Sequence, residues 1–114
     1  MLRIAAITGL LAVGLGAFGA HGLEPILEKN GTADVWKTAS LYHLVHAVVL
    51  LILAFHSKPF VWSFRCFAVG ILIFSGSLYV LALSNLKWLG AITPLGGLAL
   101  IVGWFLLCFP GKRA

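Results

Sequence analysis

FVWSFRCFAVGILIFSGSLYVLALSN, residues 60–85, carries a single charged side chain, Arg65, close to its start. About 20 apolar residues suffice to cross the hydrocarbon core of a bilayer as an α-helix. This run is therefore long enough to span, with its ends among the headgroups. Trp62 and Arg65 fall in its opening turns, where an arginine reaches back to the interface along its own methylenes. A soluble core helix would not sustain such a run without a polar face.

Working outward, three more runs of the same character fill most of the 114 residues, and none has an acidic residue in its apolar stretch. The first starts at Leu2 and ends by Gly22, a helix stop. A signal peptide is the competing reading, with Arg3 as its basic start and small residues near Ala17 and Gly19. The length of the run favours a retained span. The second begins beyond Thr32, which reads as an N-cap with Asp34 in the first turn, and continues to Ser57-Lys58-Pro59. Between these two, Glu24 to Gly31 forms a polar loop in which Pro25 suits the start of a short surface helix. The fourth runs from Trp88 to Phe109 and stops at Pro110-Gly111-Lys112-Arg113.

Composition agrees. Hydrophobic residues make up 61% of the chain, charged residues 10%, and mean hydropathy is +1.08. Soluble domains carry about 25% charge, so a water-facing surface cannot be assembled here. The expectation is an all-α integral membrane four-helix bundle, antiparallel and left-handed, forming one domain over residues 1–114. Its helices would cover about 2–22, 33–57, 60–85 and 88–109. Pro94 lies inside the fourth, where its ring removes an amide donor and predicts a kink. The alternative is that Thr93 caps a shorter helix with Pro94 at its first position.

The net charge of +5 would suggest nucleic acid in a soluble protein, but the eight Lys and Arg are dispersed, and no nucleic-acid partner is expected. In a membrane chain they mark topology. Arg3, Lys58, Arg65, Lys112 and Arg113 share one face; Lys29, Lys37 and Lys87 share the other with all three acids. The positive-inside bias then places both termini in the cytoplasm of a cell (inner or plasma) membrane. Cys66 and Cys108 form no CxxC and read as reduced thiols.

Lipid gives no hydrophobic drive for helix association, so small residues must let backbones approach. Ala12, Gly16 and Ala20 recur every fourth position on helix one. Gly70, Ser77 and Ser84 recur every seventh on helix three, and Thr93, Gly96, Leu100 and Gly103 follow three-four spacing on helix four. Helix one could also use its glycines against another copy.

Polar side chains inside the spans fall mostly in the half away from the termini: His21, His43, His46, Ser75, Tyr79 and Thr93. Such groups are expensive in lipid and tend to face protein or water, so a shared polar pocket opening outward is one expectation. His21, His43 and His46 could ligate a metal, or two of them a haem. A histidine with Tyr79 could instead hold a quinone or another lipid-soluble polar molecule. Against a cofactor, no carboxylate lies inside the spans to orient the imidazoles. The simplest reading is that these groups bond across helices and none expects a cofactor. No Ser-His-carboxylate set is readable and the acids lie in a surface loop, so an enzyme is not expected. A small oligomeric channel or transporter would need intramembrane charge that is scarce here.

Several strings are familiar in order along the chain: Gly16-Ala17-Phe18-Gly19-Ala20-His21-Gly22-Leu23, then Trp36-Lys37-Thr38-Ala39 with Tyr42-His43 and His46-Ala47. Phe74-Ser75-Gly76-Ser77-Leu78-Tyr79, Thr93-Pro94-Leu95-Gly96-Gly97 and Gly103-Trp104 follow. Together they resemble the small YgdD-like membrane family, which includes transmembrane protein 256. The resemblance implies a four-helix membrane protein of no established activity and supplies no catalytic residues. The preferred reading of the residues is a non-enzymatic structural or accessory component in contact with the lipid bilayer, forming a homo-oligomer or joining a membrane complex.

Overall fold

The computed structural model describes residues 1–56 and 60–109. The Ser57-Lys58-Pro59 break and the stop from Pro110 to Arg113 lie outside the described residues. Five α-helices follow one another: α1 (Leu2–Ala20), α2 (Glu24–Asn30), α3 (Ala33–Ala54), α4 (Val61–Ser84) and α5 (Thr93–Leu107), with a 3-10 segment at Lys87–Ala91 leading into α5. Among the described residues, four stretches are long and apolar enough to cross a membrane: α1, α3, α4, and the 3-10 segment together with α5. Their outer surfaces confirm the solvent they suit. Leu10 on α1, Leu41 on α3, Leu72 on α4 and Ile101 on α5 are each more than half exposed, a pattern that water would not tolerate over four helices.

Short connections make the spans alternate in direction, and their main contacts follow chain order: α1 on α3, α3 on α4, α4 on α5. The result is a flattened bundle, with Cα extents of 26 and 16 Å in its two shorter directions. One buried cluster, toward the termini, contains Ala5, Leu50, Leu53, Phe64, Phe67, Ile71 and Leu100. A second, toward α2, contains Leu27, Trp36, Ala39, Tyr79 and Ala82.

The α4–α5 seam is built on small residues. A Cβ on Gly96 would overlap the backbone of Phe74, one on Gly70 would come within 2.6 Å of the Leu100 side chain, and one on Gly103 within 2.8 Å of the Phe67 ring. Ser77 and Thr93 complete the row, their hydroxyls 2.7 Å apart. Each step along α4 (Phe67, Gly70, Phe74, Ser77) meets a step back along α5 (Gly103, Leu100, Gly96, Thr93). Large residues of one helix thus sit in notches of the other, the dispersion-driven packing that lipid demands. The small-residue rows expected on helices three and four are this seam, except that Ser84 is exposed beyond its end and bonds the Val80 carbonyl.

On α1 the expected row only partly closes. Ala12 is buried, but Gly16 is half-exposed, Ala20 is exposed, and a Cβ on Gly16 would meet nothing within 4 Å. The tight approach falls one residue short of the row's end, at Gly19, where a Cβ would collide with the Trp36 indole. That indole donates from Nε1 to the Leu15 carbonyl at 3.0 Å and pins α1 to α3.

Two details differ from the expectations. Pro94 lies in the first turn of α5, so the fourth span changes from 3-10 to α at Ile92 instead of running as one kinked helix. The missing proline N–H then falls where no intrahelical partner exists anyway. Thr32 occupies the N-cap position of α3, but its hydroxyl makes no cap bond. It donates to the Ala82 carbonyl at 2.7 Å, and Asn30 Nδ2 donates to Ala82 and Leu83 carbonyls at 3.0 and 3.2 Å. These carbonyls belong to the last turn of α4, which has no further helical donors. The polar loop therefore finishes a helix elsewhere in the fold, and Asn85 closes it in the left-handed region at φ 59°.

The seam predicts an asymmetric glycine scan. Gly96→Leu and Gly103→Leu should lower unfolding free energy in detergent by about 1–3 kcal/mol or more, because the Phe74 backbone cannot move aside from the first and the fully buried Phe67 ring has no room to leave the second. Gly9→Leu, where a Cβ meets open space, should change it by no more than about 0.5 kcal/mol. Equal losses at all three positions, read from SDS titrations followed by circular dichroism, would contradict the packing described.

Candidate functional site

The polar side chains of the spans divide into separate groups. His43 and Tyr79 face each other from α3 and α4, with Nδ1 of the imidazole 2.9 Å from the phenol oxygen. The Tyr79 ring also packs on Trp36, centroids 4.6 Å apart. Beside them Ser75 donates to the Ala39 carbonyl at 2.8 Å. Helical spacing explains the trio: Ser75 and Tyr79 are four apart on one face of α4, and Ala39 and His43 four apart on the facing stripe of α3.

His46 belongs to a different contact. Its Nδ1 lies 2.8 Å from the Tyr42 carbonyl, and its Nε2 accepts the indole N–H of Trp104 at 3.1 Å. A carbonyl only accepts and an indole N–H only donates, so these bonds fix the tautomer with hydrogen on Nδ1. Both ring nitrogens are then in use. The Phe67 ring, 5.5 Å from His46 and 5.2 Å from Trp104 between centroids, completes an aromatic cluster across α3, α4 and α5.

Depth separates these groups further. At 1.5 Å per residue, His43 lies about 15 Å and His46 about 20 Å from the start of α3, so His46 has passed the midpoint of a helix that ends at Ala54. Thr93 is elsewhere again, bonded to Ser77 in the α4–α5 seam. His21 is exposed at the C-terminal end of α1. The structure thus brings together His43, Ser75 and Tyr79 but leaves His21, His46 and Thr93 apart from them. Among the described residues, no group of three or more His, Cys, Asp or Glu is placed to hold a metal ion.

Around the trio lies a groove of about 320 Å³ between α1 and α4, over α3. Ile4, Leu11, Leu15, Ile71 and Leu72 form its apolar walls, and Thr8, His43, Ser75 and Tyr79 contribute its polar part. It exists because the main contacts of α1 are with α3 and few are with α4. Thr8 spends its hydroxyl on the Ile4 carbonyl one turn back, the usual resort of a threonine inside an apolar helix. Chemically the groove suits an elongated apolar molecule with one hydrogen-bonding end.

Sequence reasoning missed Trp104 and Thr8 as members of these groups. Trp104 sits one residue beyond Gly103 of the seam, and that adjacency was the available signal: a helix in close contact at Gly103 brings its next side chain to the neighbour's flank. Nothing in the sequence marked Thr8, because only the spacing of α1 from α4 gives it a role.

The family described as "Protein of unknown function (DUF423)" matches residues 15–97. The UPF0382 membrane protein YwdK of Bacillus subtilis is 45% identical over 111 residues, covering 91% of this chain and 89% of its own. The UPF0382 membrane protein SAB0533 of Staphylococcus aureus is 41% identical, covering 91% and 88%. The UPF0382 inner membrane protein YgdD of Escherichia coli is 40% identical, covering 94% and 85%. No solved structure matches. Relatives of this identity aligned along nearly the whole chain bear out the resemblance read from its local strings: the chain belongs to the UPF0382 (DUF423) family of membrane proteins.

Proposed function

We propose that this protein is a non-enzymatic accessory component of a cell membrane, one whose intramembrane polar groups serve to hold its own helices. The observation that carries this reading is the bonding of those groups. His46 uses both nitrogens, Ser75 bonds the α3 backbone, and Ser77 and Thr93 bond each other. Glu24, Glu28 and Asp34 lie on α2 and in the first turn of α3, remote in sequence and depth from His43 and His46, which leaves the imidazoles without the carboxylate that general acid–base work would use. Association with another copy or a larger complex fits the outer face of α1, where Gly9 and Gly14 leave open space.

A second reading rests on the groove. His43 and Tyr79 line an otherwise apolar slot open toward lipid, an arrangement that suits a quinone-like or isoprenoid molecule with a polar head. Haem or metal is less favoured, because ligation by His46 would break its bonds to Tyr42 and Trp104.

The orientation supported by charge puts both termini in the cytoplasm of the inner or plasma membrane, with α2 on the far side. Arg65, stacked 4.9 Å over the Trp62 ring, belongs to the cytoplasmic end in this arrangement.

Double-mutant cycles test the main reading. Ser77→Ala with Thr93→Val, and His46→Ala with Trp104→Phe, should each show coupling of about 0.5–1.5 kcal/mol in detergent unfolding. Zero coupling in both would remove it. For the groove, organic extracts of purified protein should contain a prenylated or quinone-like species that His43→Leu/Tyr79→Phe protein has lost. Identical extracts from both proteins would end that alternative. Cys108 is exposed at the end shared with the N-terminus. In Cys66→Ser protein it should resist an impermeant maleimide in intact cells, whereas a Glu28→Cys substitution in a Cys66→Ser/Cys108→Ser background should react. The reverse pattern would invert the topology.

A further inference from the structure

The groove beside His43 and Tyr79 does not end at Ile4. Toward the termini a second concavity of about 310 Å³ continues it, walled by Ile4 of α1 and by Val61, Phe64, Arg65 and Ala68 of α4. Ile4 and Ala68 line both spaces, so the two make one cleft along the α1–α4 boundary. The cleft is open because α1 is the least embraced of the spans. Its buried residues are Ala5 and Ala12, and its main contacts are with α3.

Charge and length both bear on what fills this cleft. Arg65 lines its mouth, the guanidinium stacked 4.9 Å over the ring of Trp62, about one turn nearer the start of α4. The side chain therefore runs back toward the headgroups. Arg3 adjoins Ile4 on the α1 side. The three acidic side chains of the protein, Glu24, Glu28 and Asp34, all belong to the opposite end, so the mouth is cationic. Arg65 and Ser75 are ten residues apart on α4, about 15 Å of helix. That is half of the roughly 30 Å hydrocarbon core, the reach of an acyl chain from one leaflet. At the deep end His43 and Tyr79 bond each other and Ser75 bonds the Ala39 carbonyl. An alkyl chain arriving there deprives no group of its partner.

We propose that the α1–α4 cleft seats an anionic phospholipid, phosphatidylglycerol in kind, from the leaflet at the end that carries Arg65. Its phosphate lies at Arg65, and one acyl chain runs along Ile4, Ala68 and Leu72. A zwitterionic lipid brings its own cation into the field of Arg65 and Arg3, which offsets the attraction of its phosphate; a phosphoglycerol head brings none. Cationic recesses between spans are suited to anionic headgroups for this reason. The chain adds its own contribution. On the convex outer surface it touches protein on one side, whereas in the cleft it touches two helices. Free phosphate would gain the charge and nothing from the cleft, so a lipid is the occupant. It joins α1 to α4 where protein contacts are few. This inference does not rest on the quinone-like reading of the groove, because here the polar head lies at the opposite end and the His43–Tyr79 pair meets hydrocarbon.

The test uses full-length protein in nanodiscs of phosphatidylglycerol and phosphatidylcholine in equal parts, with retained lipids counted by native mass spectrometry after delipidating washes. The wild type should retain phosphatidylglycerol over phosphatidylcholine by about fivefold. Arg65→Gln should bring the ratio close to one, while Lys29→Gln, at the α2 end, should leave it as it is. Gly76→Leu places a side chain in the groove at a position where a Cβ meets nothing within 4 Å, and should lower retention of both lipids. His43→Leu/Tyr79→Phe should keep the ratio, which separates this site from a polar-headed ligand held by that pair. Glycerol 3-phosphate at millimolar concentration should not displace the lipid. Equal retention by the wild type, an unchanged ratio in Arg65→Gln, or an equal fall in Lys29→Gln would overturn the proposal. Undiminished retention in Gly76→Leu would remove the chain from the cleft, a ratio lost in His43→Leu/Tyr79→Phe would remove the head from Arg65, and displacement by glycerol 3-phosphate would overturn the lipid as occupant.

Discussion

Close contact between α4 and α5 rests on one constraint: in hydrocarbon, side chains gain nothing by leaving the solvent. Attraction between helices has to come from atoms touching, and the largest gain comes where a backbone can be approached directly. Gly96 lies against the Phe74 main chain for this reason. The neighbouring contacts follow from it. Once Gly96 fixes the register, Leu100 falls on Gly70, Gly103 on Phe67, and Thr93 on Ser77. Trp104 is then delivered to the flank of α3, where His46 accepts its N–H.

Polar groups obey the same constraint from the other side. A donor or acceptor with no water nearby has to find a protein partner. Helix ends are where this is hardest, and the loop after α1 resolves it by sending Asn30 and Thr32 to the carbonyls that end α4. The N-cap residue of α3 is thereby spent on a different helix. That exchange ties the two halves of the chain together at the α2 end, as the Trp36–Leu15 bond ties α1 to α3.

Much of this was legible in the residues. The spans could be read from uninterrupted apolar runs, because hydrocarbon thickness sets their length and few sequences satisfy it. The α4–α5 seam was legible too, since Thr93, Gly96, Leu100 and Gly103 carry a spacing that only a packed face would need. What was not legible depended on distances between helices. The row on α1 has the same appearance as the others, yet it closes at Ala12 and opens at Gly16. Nothing local distinguishes the two cases; the difference lies in what α3 brings against α1, for its Trp36 indole seats on Gly19 and not on Gly16. The polar side chains shared an approximate depth in the sequence, and a common pocket was the natural expectation. Their bearings around each helix, which depth does not contain, send His43 toward Tyr79, His46 toward Trp104 and Thr93 toward Ser77.

The order of contacts also bears on how the chain is made. Each long helix after the first packs on the long helix synthesised just before it: α3 on α1, α4 on α3, and α5 on α4. A notch such as Gly70 on α4 waits only for the next long helix, which supplies Leu100. Assembly can therefore keep pace with insertion, each new span docking on the growing edge. The last docking, of α5 on α4, buries the contact of Gly96 with the Phe74 main chain.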